Sequence, residues 1–204
     1  MLVKICGIQT EQAAKAAVEA GADFIGFVFA DSKRKISPKN AALIGSHLPP
    51  SVKKVGVFVN ETKETIEKIA SVANLDYVQL HGDEPASLAK ALSYQVIKAF
   101  SIGSVDVETL KYYPCDYYLL DSPVGKFRGG NGKTFDWSLI EKLTFKPANF
   151  ILAGGLTPDN VNQAIQEANP LGVDVSSGVE TAGEKDSKKI QEFIINAKRK
   201  EAIK

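Results

Sequence analysis

Leu2-Val3-Lys4-Ile5-Cys6-Gly7-Ile8 runs into the alanine-rich stretch Thr10–Ala20, and Phe24-Ile25-Gly26-Phe27-Val28-Phe29 follows it. The first stretch reads as a short buried strand that ends on a thiol. The second reads as a helix, opened by a Thr10 cap and closed by Gly21. The third is another strand. Both strands are continuous apolar runs rather than alternating ones, which suits a parallel sheet covered on its faces by helices.

The same unit recurs along the chain. Ser37-Pro38 opens a helix with the cap-then-proline signature. Lys54–Val59 is a strand and Thr62–Ala73 a helix. Asp76–His81 and Pro85–Leu92 form the next pair, then Gln95–Phe100 with Val105–Tyr112. Tyr117–Asp121 is followed by the glycine-rich loop Ser122–Thr134 and a helix near Asp136–Leu143. Asn149–Ala153 precedes the helix Pro158–Ala168, and Leu171–Val175 precedes the helix Ser187–Arg199. Eight strand–helix units predict an α/β fold of the (β/α)8 TIM-barrel type, spanning residues 1–204 as a single domain. An open doubly wound sheet is the alternative.

The totals agree with an ordinary globular domain. The 204 residues carry 44% hydrophobic and 24% charged side chains, with a formal net charge of +1. That balance offers no electrostatic footprint for nucleic acid or an anionic membrane. Two cysteines make no disulfide framework, and no Cys/His spacing suggests zinc, so no metal is expected. Without a signal-peptide pattern or a membrane-length apolar run, the expected location is the cytoplasm.

In a barrel, functional residues gather where strands end and loops to the next helix begin. Those positions hold Cys6-Gly7, Phe29 with Arg34 beyond it, Asn60, His81-Gly82, Phe100-Ser101, Asp121, Gly154-Gly155 and Ser176-Ser177-Gly178. This polar, glycine-rich set favours Cys6 as a reagent over Cys6 as core filler. Lys4 shares a strand face with Cys6. Its ammonium favours the thiolate and would lower the thiol from its free pKa of about 8.5; the plainer reading pairs Lys4 with an interior carboxylate such as Asp174, and both can hold. Asp121 lies at the end of the apolar run Tyr117–Leu120 and is the natural proton-exchanging partner of Cys6. Ala153-Gly154-Gly155-Leu156 and Ser176-Ser177-Gly178-Val179-Glu180, the latter able to open a short extra helix, look like a backbone N–H site for phosphate; two plain glycine-rich turns are the alternative. Arg34 either offers a planar fork to a carboxylate or phosphate or is a solvated loop charge in a basic run. His81 is either a site residue or scaffold, whereas His47, Cys115 and Trp137 read as structural. Gly132-Lys133-Thr134 fails as a nucleotide P-loop because Phe127 stands where its first glycine belongs. The loop Ser122–Thr134 reads instead as a cover over the mouth.

Taken in order, Lys4–Ile8, Gly26–Phe29, Ser32–Arg34 with Ile36–Pro38, Val55–Asn60, Val78–Gly82, Gly132–Trp137, Ala153–Leu156 and Asp174–Glu180 resemble the phosphoribosylanthranilate isomerase family of tryptophan biosynthesis. One departure is Gln9, where a threonine usually stands. The resemblance implies an Amadori rearrangement of a phosphosugar substrate without a cofactor, in a monomer. It implies that Asp121 is the general acid and Cys6 the general base. Arg34 would meet the substrate carboxylate, Gly154, Gly155, Ser177 and Gly178 the phosphate, and His81 and Asp174 would line the site. Another phosphosugar isomerase or epimerase, and a non-catalytic phosphate-binding barrel, are the alternatives. A Schiff-base enzyme would use Lys4 or Lys98.

Overall fold

The computed structural model describes residues 1–103, 105–121, 137, 140 and 146–199. The expected cover loop Ser122–Thr134, and all of the expected helix Asp136–Leu143 but Trp137 and Ile140, lie outside them. Eight parallel strands close into a barrel: β1 (Leu2–Cys6), β2 (Phe24–Val28), β3 (Lys53–Phe58), β4 (Tyr77–Leu80), β5 (Gln95–Ser101), β6 (Tyr117–Asp121), β7 (Phe150–Leu152) and β8 (Gly172–Val175). The ring is completed where β8 pairs with β1, setting Lys4 opposite Asp174. The open-sheet alternative is thereby excluded. Strand edges differ from the sequence expectation by a residue or two at most.

The described helices are α1 (Glu11–Ala20), α2 (Pro38–Ser46), α3 (Lys63–Val72), α4 (Ala86–Ala91), α5 (Val107–Tyr112), α6 (Val161–Ala168) and α7 (Ser187–Lys198). Their starts follow local chemistry. Thr10, Ser37, Thr62, Asp106 and Asp186 each accept a backbone N–H of the first turn, satisfying a donor that the helix leaves open. No helix among the described residues is long and apolar enough to cross a membrane.

Two apolar layers result from strand alternation. The outer one lies between strands and helices and includes Ile5, Phe27, Phe58, Leu80, Leu120, Phe193 and Trp137. The inner one fills the barrel with Phe24, Val55, Tyr77, Ile97, Ala99, Leu119 and Ala153.

A repeat sets the closed end of this inner layer. Asp23-Phe24, Asp76-Tyr77 and Asp116-Tyr117 stand at the starts of β2, β4 and β6. Each aspartate is stapled to the preceding strand. The side chains accept from Val3, Lys54 and Val96 N–H at 2.8, 2.8 and 2.7 Å. Their own amides donate back to the carbonyls of the same three residues. Each following aromatic turns inward, and the three rings meet at centroid distances of 5.6, 6.0 and 5.9 Å. At β8 the pattern changes: Gly172 leaves room for Leu2, whose Cβ lies 2.9 Å from where a Gly172 Cβ would stand.

Candidate active site

At the open end, the alternation that brings Phe24 inward also brings Cys6 inward. Lys4, one turn of the pleat below it, is wholly buried and donates to Asp174 Oδ1 at 2.9 Å. Gly26 on β2 makes room for both groups. A Cβ there would lie 2.9 Å from Cys6 Sγ and 3.2 Å from Lys4 Nζ. Both sequence readings of Lys4 therefore hold at once: it pairs with Asp174 and also stands beside the thiol.

The electrostatic outcome differs from the expectation of a lowered thiol. Burial pushes the Cys6 thiol above its ordinary value, with Lys4 pulling it down, Asp174 pushing it up and Lys185 pulling it down. Burial also works against the Lys4 charge, but Asp174 and the Cys6 sulfur outweigh it and hold the ammonium above its usual range. Lys4 thus acts in the expected direction, but the apolar surroundings of a strand inside a barrel act more strongly.

Across the mouth, Asp121 ends β6 and is buried. Its Oδ2 lies 3.4 Å from His81 Nε2. On the other side of the ring, His81 Nδ1 is 2.8 Å from the Gln79 amide nitrogen. With that amide donating to Nδ1, the neutral ring carries its proton on Nε2, facing Asp121. Gln79 shares a strand face with His81, and its Oε1 is buried with no hydrogen-bond partner among the described residues. His81 is therefore oriented toward the chemistry.

Arg34 sits in the loop after β2, which rejoins the sheet through a bridge between Val28 and Lys35. Its Nε and Nη2 donate to the two oxygens of Glu180 at 2.6 and 3.0 Å. Lys185 Nζ donates to the same carboxylate at 2.6 Å, and Lys33 Nζ lies 3.6 Å away. Burial opposes the Glu180 charge, yet the hydrogen bonds from Arg34 and Lys185 hold its carboxyl at about 2. Burial likewise pulls the Lys185 ammonium below its ordinary value, against the opposing pull of Glu180. Neither Glu180 nor Lys185 was singled out from the sequence. They face each other across a two-stranded hairpin, β9 (Glu180–Thr181) with β10 (Glu184–Lys185). Its turn uses Ala182 and Gly183 at φ 53° and 88°. Ala-Gly lacks the Asn-Gly signature of such turns, so no sequence signal marked it.

The glycine loops after β7 and β8 lie together. The expected short helix is a 3-10 turn over Ser177–Val179. Gly178 packs so closely that a Cβ there would fall 1.8 Å from the Leu156 carbonyl oxygen. The amides of Gly154, Gly155, Ser177 and Gly178 donate to no carbonyl among the described residues, which suits them to an anionic ligand.

Other candidates fall outside the mouth. His47 is exposed on the helix layer, 3.8 Å from Glu11. Burial pushes the Cys115 thiol up to about 12, and the residue packs against the outer core. Lys98 faces the helices, where it bonds Glu84 Oε2 at 3.0 Å and the Gly82 carbonyl at 2.7 Å; a Schiff-base role for it is excluded by position. Among the described residues, His, Cys, Asp and Glu nowhere form a group of three able to hold a metal ion.

The family model for N-(5'-phosphoribosyl)anthranilate isomerase matches residues 3–196. An isomerase of that name from Bacillus cereus strain B4264 is 52% identical over 200 residues, covering 97% of this chain and 98% of the relative. Its counterpart from Oceanobacillus iheyensis is 48% identical over the full length of both. Among solved structures, the Thermotoga maritima phosphoribosyl anthranilate isomerase superposes with a TM-score of 0.86 at 46% identity, covering 97% of this chain and 99% of that one. A second, in complex with reduced 1-(o-carboxyphenylamino)-1-deoxyribulose 5-phosphate, has a TM-score of 0.83 at 44% identity, covering 97% and 98%.

Proposed function

Since the chain belongs to the phosphoribosylanthranilate isomerase family of tryptophan biosynthesis, enzymes that carry out an Amadori rearrangement, we propose that Asp121 and Cys6 divide its two proton transfers between them. The substrate is N-(5-phosphoribosyl)anthranilate and the product 1-(2-carboxyphenylamino)-1-deoxyribulose 5-phosphate. Asp121 gives a proton to the furanose ring oxygen as the C1′–O bond breaks, leaving a Schiff base with the anthranilate nitrogen. The His81 Nε2–H then faces the carboxylate left on Asp121 and stabilises it. Cys6, as thiolate, removes the C2′ proton. The electron pair moves into the C1′–C2′ bond and on to the nitrogen, and the enolamine tautomerises to the ketone. Both steps are proton transfers, so two side chains suffice and no cofactor is required.

The binding groups follow the substrate's charges. Gly154, Gly155, Ser177 and Gly178 take the phosphate, and Arg34 takes the anthranilate carboxylate. Asp174 acts through Lys4, holding the ammonium beside the sulfur. Anchoring both ends of the substrate away from the reacting carbons holds C2′ against the base.

The observation that carries this reading is the inward pairing of Lys4 with Cys6 and of His81 with Asp121 at strand ends on the same rim. The test is turnover of freshly generated substrate by Cys6→Ser and Asp121→Asn. If either variant retained near-normal turnover, the division of roles would be wrong. We also read the chain, as one domain, as a monomer acting in the cytoplasm. Among the described residues, the exposed large apolar side chains, Met1, Leu43, Val72, Tyr112, Leu171 and Ile195, fall on different parts of the fold. Sedimentation at assay concentration tests the monomer; a dimer, as described for the Thermotoga maritima protein, would overturn it.

A further inference from the structure

We propose that Glu180 is the positioning residue that gives the mouth its selectivity for a substrate bearing a ring carboxylate, by clamping Arg34 along one edge and presenting the other. This rests on the reading that Arg34 receives that carboxylate.

A guanidinium has two edges able to grip a carboxylate side by side. Glu180 occupies the Nε/Nη2 edge of Arg34 at 2.6 and 3.0 Å. Nη1 makes no bond among the described residues, and with the second hydrogen of Nη2 it leaves the Nη1/Nη2 edge to a second carboxylate. A lone arginine in a surface loop would spread over many rotamers, and binding would have to overcome that freedom. Here three restraints remove it. The loop is pinned by Gln9, whose side-chain amide donates to the carbonyls of Lys33 and Lys35 at 3.3 and 3.2 Å. The stem lies across Gly7, where a Cβ would meet Arg34 Cδ at 2.6 Å. The head is held by Glu180, whose own backbone is fixed by the hairpin and by Lys189 Nζ donating to its carbonyl at 2.9 Å.

The charges also fit a second anion. Arg34, Lys185 and Lys33 surround a single carboxylate. The side chains of Arg34, Glu180 and Lys185 are only 11, 6 and 6% exposed. The surplus positive charge is therefore poorly screened. Lys185 links this cluster to the base: it donates to the Ser176 carbonyl at 2.9 Å and to Ser176 Oγ at 3.3 Å. Ser176 Oγ donates in turn to the Cys6 carbonyl at 3.1 Å. The clamp thus ties the site of carboxylate recognition to the strand end that carries the thiol.

The test compares two inhibitors: the reduced product analogue, and its counterpart built on aniline, which lacks the ring carboxylate. Arg34→Met should erase the preference for the carboxylated compound; a preference that survives overturns the Arg34 reading itself. With that reading intact, Glu180→Gln should weaken the carboxylated inhibitor about tenfold, the scale of one oriented charged hydrogen bond. It should leave the aniline compound alone, and KM should rise by more than kcat falls. A purely electrostatic role predicts the opposite sign, because removing an anion beside Arg34 favours another anion. Unchanged or tighter binding in Glu180→Gln therefore overturns the clamp. If that variant fails to fold, Glu180→Asp is read instead. It keeps the charge but shortens the reach by one methylene, so the clamp predicts the same selective weakening, and normal binding overturns it.

Discussion

Where the strands begin, Phe24, Tyr77 and Tyr117 pack as a triad of rings, with Leu2 and Val55 filling the space around them. Where strands end, Cys6 on β1, His81 just past β4, Asp121 on β6 and Ser176 just past β8 occupy the inward positions. Between the two levels lies the buried Lys4–Asp174 pair. One end is closed by packing, and its polar groups are paired away as backbone staples. The other end keeps Cys6 and Asp121 buried, beside Lys4 and His81. The barrel separates the two tasks along each strand. Substitutions at one end should affect stability, and those at the other chemistry.

The largest expected effect is at the open end. Asp121→Asn and Cys6→Ser should each lower kcat by about 10²–10⁴, the range for a positioned acid or base, with little change in melting temperature. At the closed end, Phe24→Ala should cost about 3–5 kcal/mol of unfolding free energy, the range for emptying a buried aromatic site. The folded fraction should keep its kcat/KM. If folded Phe24→Ala lost catalysis as deeply as Asp121→Asn, the separation of the two ends would fail.

Next comes acid unfolding. The Glu180 carboxyl sits at about 2 in the folded protein, below its ordinary 4.5. A group depressed in this way contributes stability above its unfolded pKa and loses it as pH falls through the folded one. Its contribution, on the order of 3 kcal/mol, should be present at neutral pH and fade between about pH 4.5 and pH 2. The stability difference between wild type and Glu180→Gln should shrink over that window in urea titrations. A constant difference would show that the carboxylate is not charged by its partners.

The pH–rate profile gives a smaller effect. Because burial raises the Cys6 thiol, kcat/KM should climb with pH through neutrality on the limb that reports this base. Lys4 favours the thiolate, so Lys4→Met should move that limb to higher pH. Direct thiol titration checks the assignment, and a limb that stays put removes Lys4 from the account. The smallest effect belongs to a single staple. Asp76→Ala strands the Lys54 N–H that it accepts and should cost about 1–2 kcal/mol with no effect on turnover.

The strand–helix order, the helix caps at Thr10 and Ser37 and the cluster of chemistry-bearing residues at strand ends were legible because each depends on local spacing. Period-two alternation placed Lys4 under Cys6 and Gln79 under His81 without any structure. The Asp-aromatic repeat at β2, β4 and β6 was equally present in the letters, but its meaning needs the closed ring that brings the three rings together. Glu180 was missed because its partner Arg34 comes from the loop after β2, and Lys185 because an Ala-Gly turn gives no hairpin signal. The sign of the Cys6 shift was missed because spacing reports neighbours and not the depth of burial.

By itself, the sequence pointed to a run of strand–helix units with Cys6, His81 and Asp121 at strand ends, since hydrophobic periodicity and turn chemistry act over a few residues, whereas closure of the sheet was settled only where β8 meets β1. Only the tertiary structure decided which charges hold which. That Lys4 serves both Asp174 and the thiol, and that Arg34 stands clamped rather than alone, depends on distances between residues as many as 170 positions apart. Coulomb and desolvation energies follow those distances and that burial, not order along the chain.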